Sequence, residues 1–244
     1  MTAMEERMSG RAEEAEVESR FLKYTFFKVS REWRFLAAHE RSACKDELGA
    51  VLEKNTSGLR LQLFSLVGIR GDADFMVLAE AADPEYFGGL ISSVLATGIG
   101  AYLDVPYSYL AMTRKSHYLG SHRHPDQEGS RREPADPRRS KYVFVYPFIK
   151  KRSWYALPFT ERQRIMADHF KVGHKYPMVK INTGYSFGID DQEFVLAFEA
   201  DRPADFLSLV EELRSSEASK YTELETPTFT CMRTDVRHLL KLLS

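Results

Sequence analysis

Hydrophobic side chains follow a period of two at 141–149, where Val143 and Val145 alternate with aromatic residues. A period of two is typical of a β-strand, because successive side chains of a strand point to opposite faces of its sheet. Pro147 cannot donate a ladder hydrogen bond, so we expect the end of this strand to be irregular.

The pattern that follows has helical spacing. Thr160 and Gln163 have the spacing of a capping box, and Gly173 lies where a C-cap is typical, so the sequence predicts a helix over 160–173. A second amphipathic helix is predicted over 203–217. Its apolar stripe consists of Phe206, Val210 and Leu213.

His169 lies on the apolar face of the first of these helices. Ile165, His169 and Val172 occupy positions i, i+4 and i+7, which share one face. A buried imidazole needs a partner for each ring nitrogen, since an unpartnered polar atom costs free energy. Two interpretations remain open: an axial ligand of a haem iron, and a hydrogen-bonded histidine of the core.

Glu217 continues the apolar stripe of the second helix, and a carboxylate there needs a hydrogen-bond donor. It could accept from an imidazole N–H of His169, which would fix the tautomer of a metal-bound histidine. Alternatively, Glu217 ends the helix near the surface and pairs with Lys220.

The chain repeats itself at an offset of 118 to 121 residues. The repeated blocks include K-Y-T-F-F at 23–27 with K-Y-V-F-V at 141–145, and Trp33 and Glu40-Arg41 with Trp154 and Glu161-Arg162. The G-I-R-G-D-A-D-F block at 68–75 likewise recurs as G-I-D-D-Q-E-F at 188–194. This period is too long for a solenoid unit, so we infer two duplicated halves.

Each half has the element order β-α-β-β-α-β, the order of a ferredoxin-like unit. The first half is predicted as 22–29, 34–53, 60–68, 73–81, 84–96 and 104–112, and the second as 141–149, 160–173, 179–188, 192–200, 203–217 and 226–233. The predicted fold class is therefore α+β, with the bare faces of two sheets packed into a barrel-like core. The predicted organisation is an acidic tail at 1–19, a first half at 20–114, a basic linker at 115–140 and a second half at 141–244.

Composition narrows the partners and the compartment. A net charge of −1 gives no reason to expect nucleic acid or an anionic membrane as the main partner. No apolar run reaches the length of a membrane span, and the N-terminus resembles no secretory signal. The two cysteines, Cys44 and Cys231, form neither a metal-ligand spacing nor a disulfide framework, so we predict a cytoplasmic protein.

Three residues near the end of the strand at 141–149 have side chains suited to chemistry. Tyr146 and Lys150 could serve as a redox group and an anion anchor, although both types also occur at strand ends for packing and solubility. Trp154 could wall a flat aromatic ligand or pack in the core. The segment 115–140 is either a solvated linker or a basic flap over an anionic ligand.

Three blocks of the second half resemble the chlorite dismutase superfamily, which includes the coproheme decarboxylases. They are Y-P-F-I-K-x-x-x-W-Y-x-L-P-x-x-E-R-x-x-I-M-x-D-H, Y-S-F-G-I-D-D-Q-E-F and E-L-R-S-S-E-A-S-K-Y. The resemblance covers about 21–235. It implies a dimeric α+β barrel of two ferredoxin-like repeats per chain, a homo-oligomer that is often a pentamer, and haem in the second half only.

The resemblance also implies roles for individual residues. His169 matches the proximal iron ligand, and Glu217 matches its hydrogen-bonded carboxylate. Trp154 matches a tryptophan at the haem edge, Tyr146 a tyrosine that decarboxylases use as a radical, and Lys150 a lysine beside the reacting propionate.

The distal position separates the activities within this superfamily. Chlorite-splitting members have an arginine nine residues before the first Asp of the G-x-D-D motif, where this chain has Ile181. One group of decarboxylases has a glutamine there. Another group, from actinobacteria, leaves this position small and apolar and uses a histidine of the central loop instead. In that group an arginine precedes the histidine by eight residues, and Arg114 precedes His122 by the same number here. The resemblance therefore matches His122 to that histidine, with His117 and His124 as alternatives.

The resemblance thus implies a decarboxylase that converts iron coproporphyrin III (coproheme) to haem b with hydrogen peroxide. Ile181 counts against the alternative activity, chlorite dismutation, which is expected to need the distal arginine. A haem-binding protein without turnover is the third hypothesis, because binding residues and catalytic residues overlap.

Overall fold

The computed structural model describes residues 19–54, 56–114, 116, 118 and 140–243. Nine strands lie within these ranges: β1 (Phe21–Val29), β2 (Leu59–Ser65), β3 (Phe75–Ala81), β4 (Leu103–Thr113), β5 (Tyr142–Lys150), β6 (Lys180–Tyr185), β7 (Phe194–Ala200), β8 (Thr222–Leu224) and β9 (Phe229–Thr234). Six α-helices lie there too: α1 (Ala38–Glu53), α2 (Glu85–Leu95), α3 (Arg152–Ala156), α4 (Phe159–His174), α5 (Pro203–Arg214) and α6 (Val236–Leu242). Short 3₁₀ turns occupy Arg31–Phe35, Gly98–Tyr102 and Glu217–Tyr221.

The α+β fold class with two ferredoxin-like repeats is confirmed. In the first half the strand order is β4-β1-β3-β2, and in the second it is β9-β5-β7-β6, with antiparallel pairing throughout. β1 therefore matches β5, since each lies inside its half between the last strand of that half and the second strand of its β-hairpin.

The two sheets join at both edges into one closed sheet of eight strands, so they do not simply pack face to face. β2 pairs with β9, and β4 pairs with β6. At the second junction a Cβ added to Gly184 would lie only 2.6 Å from the Cβ of Ala111, so glycine is required for this close approach. Every edge that one half would leave open is thereby paired.

Large apolar side chains fill the interior of the closed sheet. They include Tyr24, Phe26, Phe64, Met76, Val143, Val145, Val195 and Phe229, contributed by both halves. The alternate side chains of each strand point outward and are covered by the helices of their own half, with α6 added over the first half. Tyr146 belongs to this second set, because it lies one residue out of phase with Val145.

Several predicted boundaries are wrong. α4 begins at Phe159 after Pro158, without a side-chain cap from Thr160, and it continues through Gly173 to His174. The helical segment predicted over 34–53 is interrupted at Leu36 and Ala37, whose backbone is extended. The short helices α3 and α6 and the strand β8 were not predicted.

Candidate functional site

The candidate site lies in the second half, between the outer face of the sheet and helices α4 and α5. Tyr146 on β5 is 9% exposed, and its ring stacks on Phe198 of β7 with the centroids 6.0 Å apart. Phe206 of α5 covers the same cluster, and Ile181 of β6 packs against it. Tyr146 and Ile181 therefore share one largely apolar wall.

Lys150 and Trp154 lie at the end of β5 and in α3. The Lys150 ammonium is 4.9 Å from the centroid of the Trp154 ring and donates to the carbonyl oxygen of Ala218 at 3.2 Å. Trp154 is 3% exposed and packs against Ile165 of α4. The sequence-predicted lysine and tryptophan are thus neighbours.

His169 lies between these two groups of side chains. Ile165, four residues earlier on α4, packs with Trp154, and Val172, three residues later, packs with the cluster that contains Tyr146. The imidazole is half-buried, and its Nδ1 atom is buried without a hydrogen-bond partner among the described residues. Burial, with a contribution from the Lys150 ammonium, lowers the pKa of His169 to about 4. The imidazole is therefore neutral at neutral pH, the form that binds a metal ion.

The predicted pairing of Glu217 with His169 is not present in the structure. α5 ends at Arg214, and the extended backbone of Ser216 breaks the helical phase, so Glu217 no longer continues the apolar stripe. Its carboxylate accepts a hydrogen bond of 2.8 Å from Arg164 on α4, and its side chain is 38% exposed. Arg164 precedes His169 by five residues and so faces a different side of the helix.

Burial changes the pKa values of Tyr146 and Lys150 in ways that suit their proposed roles. Burial raises the pKa of the Tyr146 phenol well above its ordinary value, with a smaller contribution from the Glu225 carboxylate. Burial lowers the pKa of Lys150 to about 8, although Glu193 and Glu225 favour its charged form. At neutral pH the phenol is therefore protonated and most of the amine is charged.

Glu193 is a residue of this region that the sequence reasoning missed. It is 7% exposed, and its Oε2 atom accepts from the Lys150 backbone N–H at 2.8 Å and from the Tyr155 hydroxyl at 2.6 Å. Its position in the G-I-D-D-Q-E-F block was visible in the sequence. Its contact with the end of β5 depends on the pairing of β7 with that strand.

The central histidines His117, His122 and His124 lie outside the described residues, so the predicted distal base stays a prediction. The described part of this segment includes Tyr118. Its ring stacks on Phe159 at 5.8 Å and lies 6.3 Å from the Trp154 ring.

The side chains of the site fit an iron porphyrin. The described residues contain no cluster of three His, Cys, Asp or Glu side chains that could hold a bare ion. A single neutral imidazole suits a metal whose remaining ligands come from a macrocycle. The buried Nδ1 atom also lacks, among the described residues, the hydrogen-bond partner that a buried polar atom normally has. His169 could hold the iron, the aromatic and aliphatic wall could cover the ring, and Lys150 could hold a peripheral carboxylate.

Together, the closed α+β sheet and the site define a class of protein with two ferredoxin-like halves and, among the described residues, a candidate metal-binding site in the second half only. The family model described as chlorite dismutase matches residues 40–234, and the chain belongs to that family. This family includes haem-dependent enzymes and binds haem.

A curated relative and two solved structures illustrate the similarity. The chain is 31% identical over 225 residues to the coproheme decarboxylase of Mycolicibacterium smegmatis, covering 91% of this chain and 94% of that protein. A mutant chlorite dismutase from Candidatus Nitrospira defluvii matches with a TM-score of 0.83 and 21% identity, over 92% of this chain and 96% of that one. The same organism's enzyme in complex with imidazole matches with a TM-score of 0.82 and 21% identity, over 92% and 95%. At this identity the two structures establish the fold alone.

Proposed function

We propose that this protein catalyses the oxidative decarboxylation of iron coproporphyrin III to haem b with hydrogen peroxide. The observation that carries the proposal is the placement of a buried phenol, Tyr146, and a half-buried ammonium, Lys150, around a neutral imidazole, His169. The name of the Mycolicibacterium smegmatis relative supports this activity over others in the family.

The overall reaction balances with one peroxide per propionate. Each reacting propionic acid side chain loses carbon dioxide and two hydrogens and becomes a vinyl group, while hydrogen peroxide accepts those two hydrogens and becomes two waters. The bound iron supplies the redox chemistry with peroxide.

Tyr146 is the residue that we propose to oxidise the propionate. Its pKa is raised by burial, so the phenol is protonated at neutral pH and must lose both an electron and a proton to become a radical. After this loss, the phenoxyl oxygen can take a hydrogen atom from the propionate. The carbon radical that remains gives its second electron to the peroxide-derived oxidant as carbon dioxide leaves. Phe198 and Phe206 exclude water from one side of this phenol.

Lys150 is the residue that we propose to hold the reacting carboxylate. A charged amine in a half-buried place attracts a carboxylate more strongly than one in water does. Trp154 would lie against the porphyrin edge and Ile181 on the distal side. We propose His122 as the distal base, and His169 as the iron ligand.

Mass analysis of the porphyrin after peroxide addition tests this function. The purified protein with iron coproporphyrin III should show two successive losses of formic-acid mass, whereas the His169→Ala variant should show neither. If the wild type leaves the porphyrin intact but releases oxygen from chlorite, chlorite dismutation is the activity. If it binds the porphyrin and does neither, it is a haem-binding protein.

We propose further that the protein forms a ring-shaped homo-oligomer, often a pentamer in the superfamily that it resembles, and acts in the cytoplasm. Cys44 and Cys231 are free cysteines in the structure. No helix among the described residues is both long and apolar enough to cross a membrane. A monomeric mass at micromolar concentration would contradict the proposed assembly.

A further inference from the structure

Arg162 lies on the same face of α4 as the candidate iron ligand. Seven residues separate it from His169, which is two turns of helix and about 10 Å along the axis. This distance is comparable to the reach of a porphyrin from its metal to a propionate carboxylate. Arg162 is therefore placed near the edge of any ring whose metal His169 holds.

The guanidinium of Arg162 is poorly satisfied by the described residues. Its Nε atom is buried without a hydrogen-bond partner, and Nη1 makes only a long contact of 3.4 Å with the Tyr118 hydroxyl. The guanidinium carbon lies 5.5 Å from the centroid of the Phe159 ring. No carboxylate of the described chain forms an ion pair with Arg162, and a part-buried cation without an anion is costly.

The internal duplication provides a comparison within the same molecule. Arg41, the counterpart of Arg162, donates from Nη1 to the carbonyl oxygens of Leu36 at 2.6 Å and Arg34 at 3.4 Å. The position that matches His169 in the first half is Leu48, which is fully buried. Where the matching position is Leu48, the arginine thus donates to backbone carbonyls, whereas where it is His169, the Nε atom of Arg162 has no partner among the described residues.

Lys150 lies beside Trp154, and neighbours of Arg162 contact the same indole. Ile165, three residues after Arg162, packs directly on Trp154, and the Tyr118 that contacts Arg162 has its ring 6.3 Å from the same indole. Lys150 contributes the second positive charge, at 4.9 Å from the indole centroid. The Glu193 and Glu225 carboxylates act on Lys150, but no described carboxylate forms an ion pair with Arg162. The two cations therefore favour a ligand that carries more than one carboxylate at this edge.

We infer that Arg162 forms an ion pair with a carboxylate of the bound porphyrin, a carboxylate distinct from the one that Lys150 holds. The inference rests on the proposed function, because that function supplies a ligand with several carboxylates. The planar fork of a guanidinium matches the two oxygens of a carboxylate, and Nε together with an Nη atom offers two parallel donors.

Binding titrations with a charged and an uncharged porphyrin test this ion pair without measuring turnover. Iron(III) coproporphyrin III and its tetramethyl ester are titrated into wild type, Arg162→Met and Arg162→Lys in the same cosolvent. Arg162→Met should weaken binding of the acid roughly ten- to hundredfold and leave binding of the ester unchanged. Arg162→Lys should lose less, because it keeps the charge but not the fork.

Arg164→Met is the matched control, since Arg164 lies on the same helix but is exposed and paired with Glu161 and Glu217. This variant should bind both porphyrins like the wild type. The melting temperature of the unliganded Arg162→Met protein should equal or exceed that of the wild type, because the change removes an unpaired cation.

Three results would overturn the inference. Unchanged affinity of Arg162→Met for the acid would show that no ion pair forms. Equal losses for acid and ester, accompanied by a lower melting temperature, would show that Arg162 only supports the fold. If the wild type binds neither porphyrin, both the proposed function and the ion pair are wrong. This outcome is distinguished from the other two because it is seen with the wild-type protein alone.

Discussion

At the scale of single residues, burial gives ordinary side chains the properties that the site needs. Tyr146 and Lys150 lie on one strand, four residues apart, yet burial acts on them in opposite directions. It favours the neutral form of each, and therefore raises the pKa of the phenol and lowers that of the amine. A protonated phenol and an ammonium with a pKa of about 8 are both consequences of burial.

Removing the phenol oxygen of Tyr146 should abolish decarboxylation without affecting porphyrin binding. Tyr146→Phe keeps the ring and its stacking on Phe198, so packing changes little. Haem b formation should fall at least a hundredfold, a drop of about 2.7 kcal/mol or more in transition-state stabilisation. Product formation is followed by mass analysis, and affinity by absorbance titration.

Tyr142→Phe provides the matched control for that experiment. Tyr142 lies on the same strand and packs on the edge of the same cluster. The Tyr142→Phe variant therefore shows the effect of removing a hydroxyl group from this cluster at a position with no proposed catalytic role. Substantial haem b formation by Tyr146→Phe, or an equal loss in both variants, would contradict the role assigned to Tyr146.

Porphyrin affinity should fall as the pH rises through the lowered pKa of Lys150. The ammonium pairs with a carboxylate, and its pKa of about 8 means that raising the pH from 7 to 9 removes most of the charge. The dissociation constant of iron coproporphyrin III should rise by up to roughly tenfold over this interval. Lys150→Met should lack this component of the pH dependence.

Lys151→Met serves as the control for the pH titration, because Lys151 is the exposed neighbour of Lys150. It should reproduce the wild-type profile. A Lys150→Met profile that is parallel to that of the wild type would assign the pH dependence to another group.

At the scale of elements, the ends of helices determined which residues meet. The stripe of Phe206, Val210 and Leu213 was correctly predicted to pack on the sheet. The prediction for Glu217 depended on one more helical turn, and the helix stops at Arg214. One residue with an extended backbone is enough to end the helical periodicity. The predicted helix was three residues too long, so Glu217 was placed on its apolar face, whereas in the structure its carboxylate pairs with Arg164.

The last helix, α6, belongs to the second repeat in sequence but completes the core of the first. Asp235 caps it by accepting from the His238 N–H at 2.7 Å, and Leu239 is fully buried among side chains of the first half. The Trp33 indole N–H donates to the Leu243 carbonyl at 3.2 Å. The C-terminus therefore ties the two repeats together.

Leu239→Ala should lower the free energy of unfolding by about 2 to 5 kcal/mol, because it leaves a cavity in a closely packed core. Urea denaturation followed by circular dichroism measures this change. Lys241→Ala, an exposed position on the same helix, should change stability by less than about 0.5 kcal/mol. Equal effects of the two substitutions would mean that α6 does not dock as the structure shows.

At the scale of the whole molecule, the two repeats form one folding unit. Each half leaves two sheet edges and one apolar sheet face that only the other half can cover. Arg233 of β9 also donates to the Gln62 side chain of β2 at 2.7 Å across one junction. A half that unfolded alone would expose this interior and unpaired edges, so we expect a single cooperative transition.

The chain has two tryptophans, one in each half, and they can test this cooperativity. In Trp33→Phe the fluorescence reports only Trp154, and in Trp154→Phe it reports only Trp33. In each variant the fluorescence and circular dichroism midpoints in urea should coincide. Separate midpoints within one variant would show that the halves unfold independently.

The sequence by itself determined the duplicated α+β plan, because strand and helix periods and a repeat near 120 residues are local properties that can be read along the chain. It also picked out Tyr146, Lys150, Trp154 and His169 as candidates. Only the tertiary structure decided that the two sheets close through β2–β9 and β4–β6 pairing, because edge pairing joins residues far apart in the chain. It alone showed the positions of Glu217, Glu193 and Arg162, since whether a polar atom is satisfied depends on which elements meet around it.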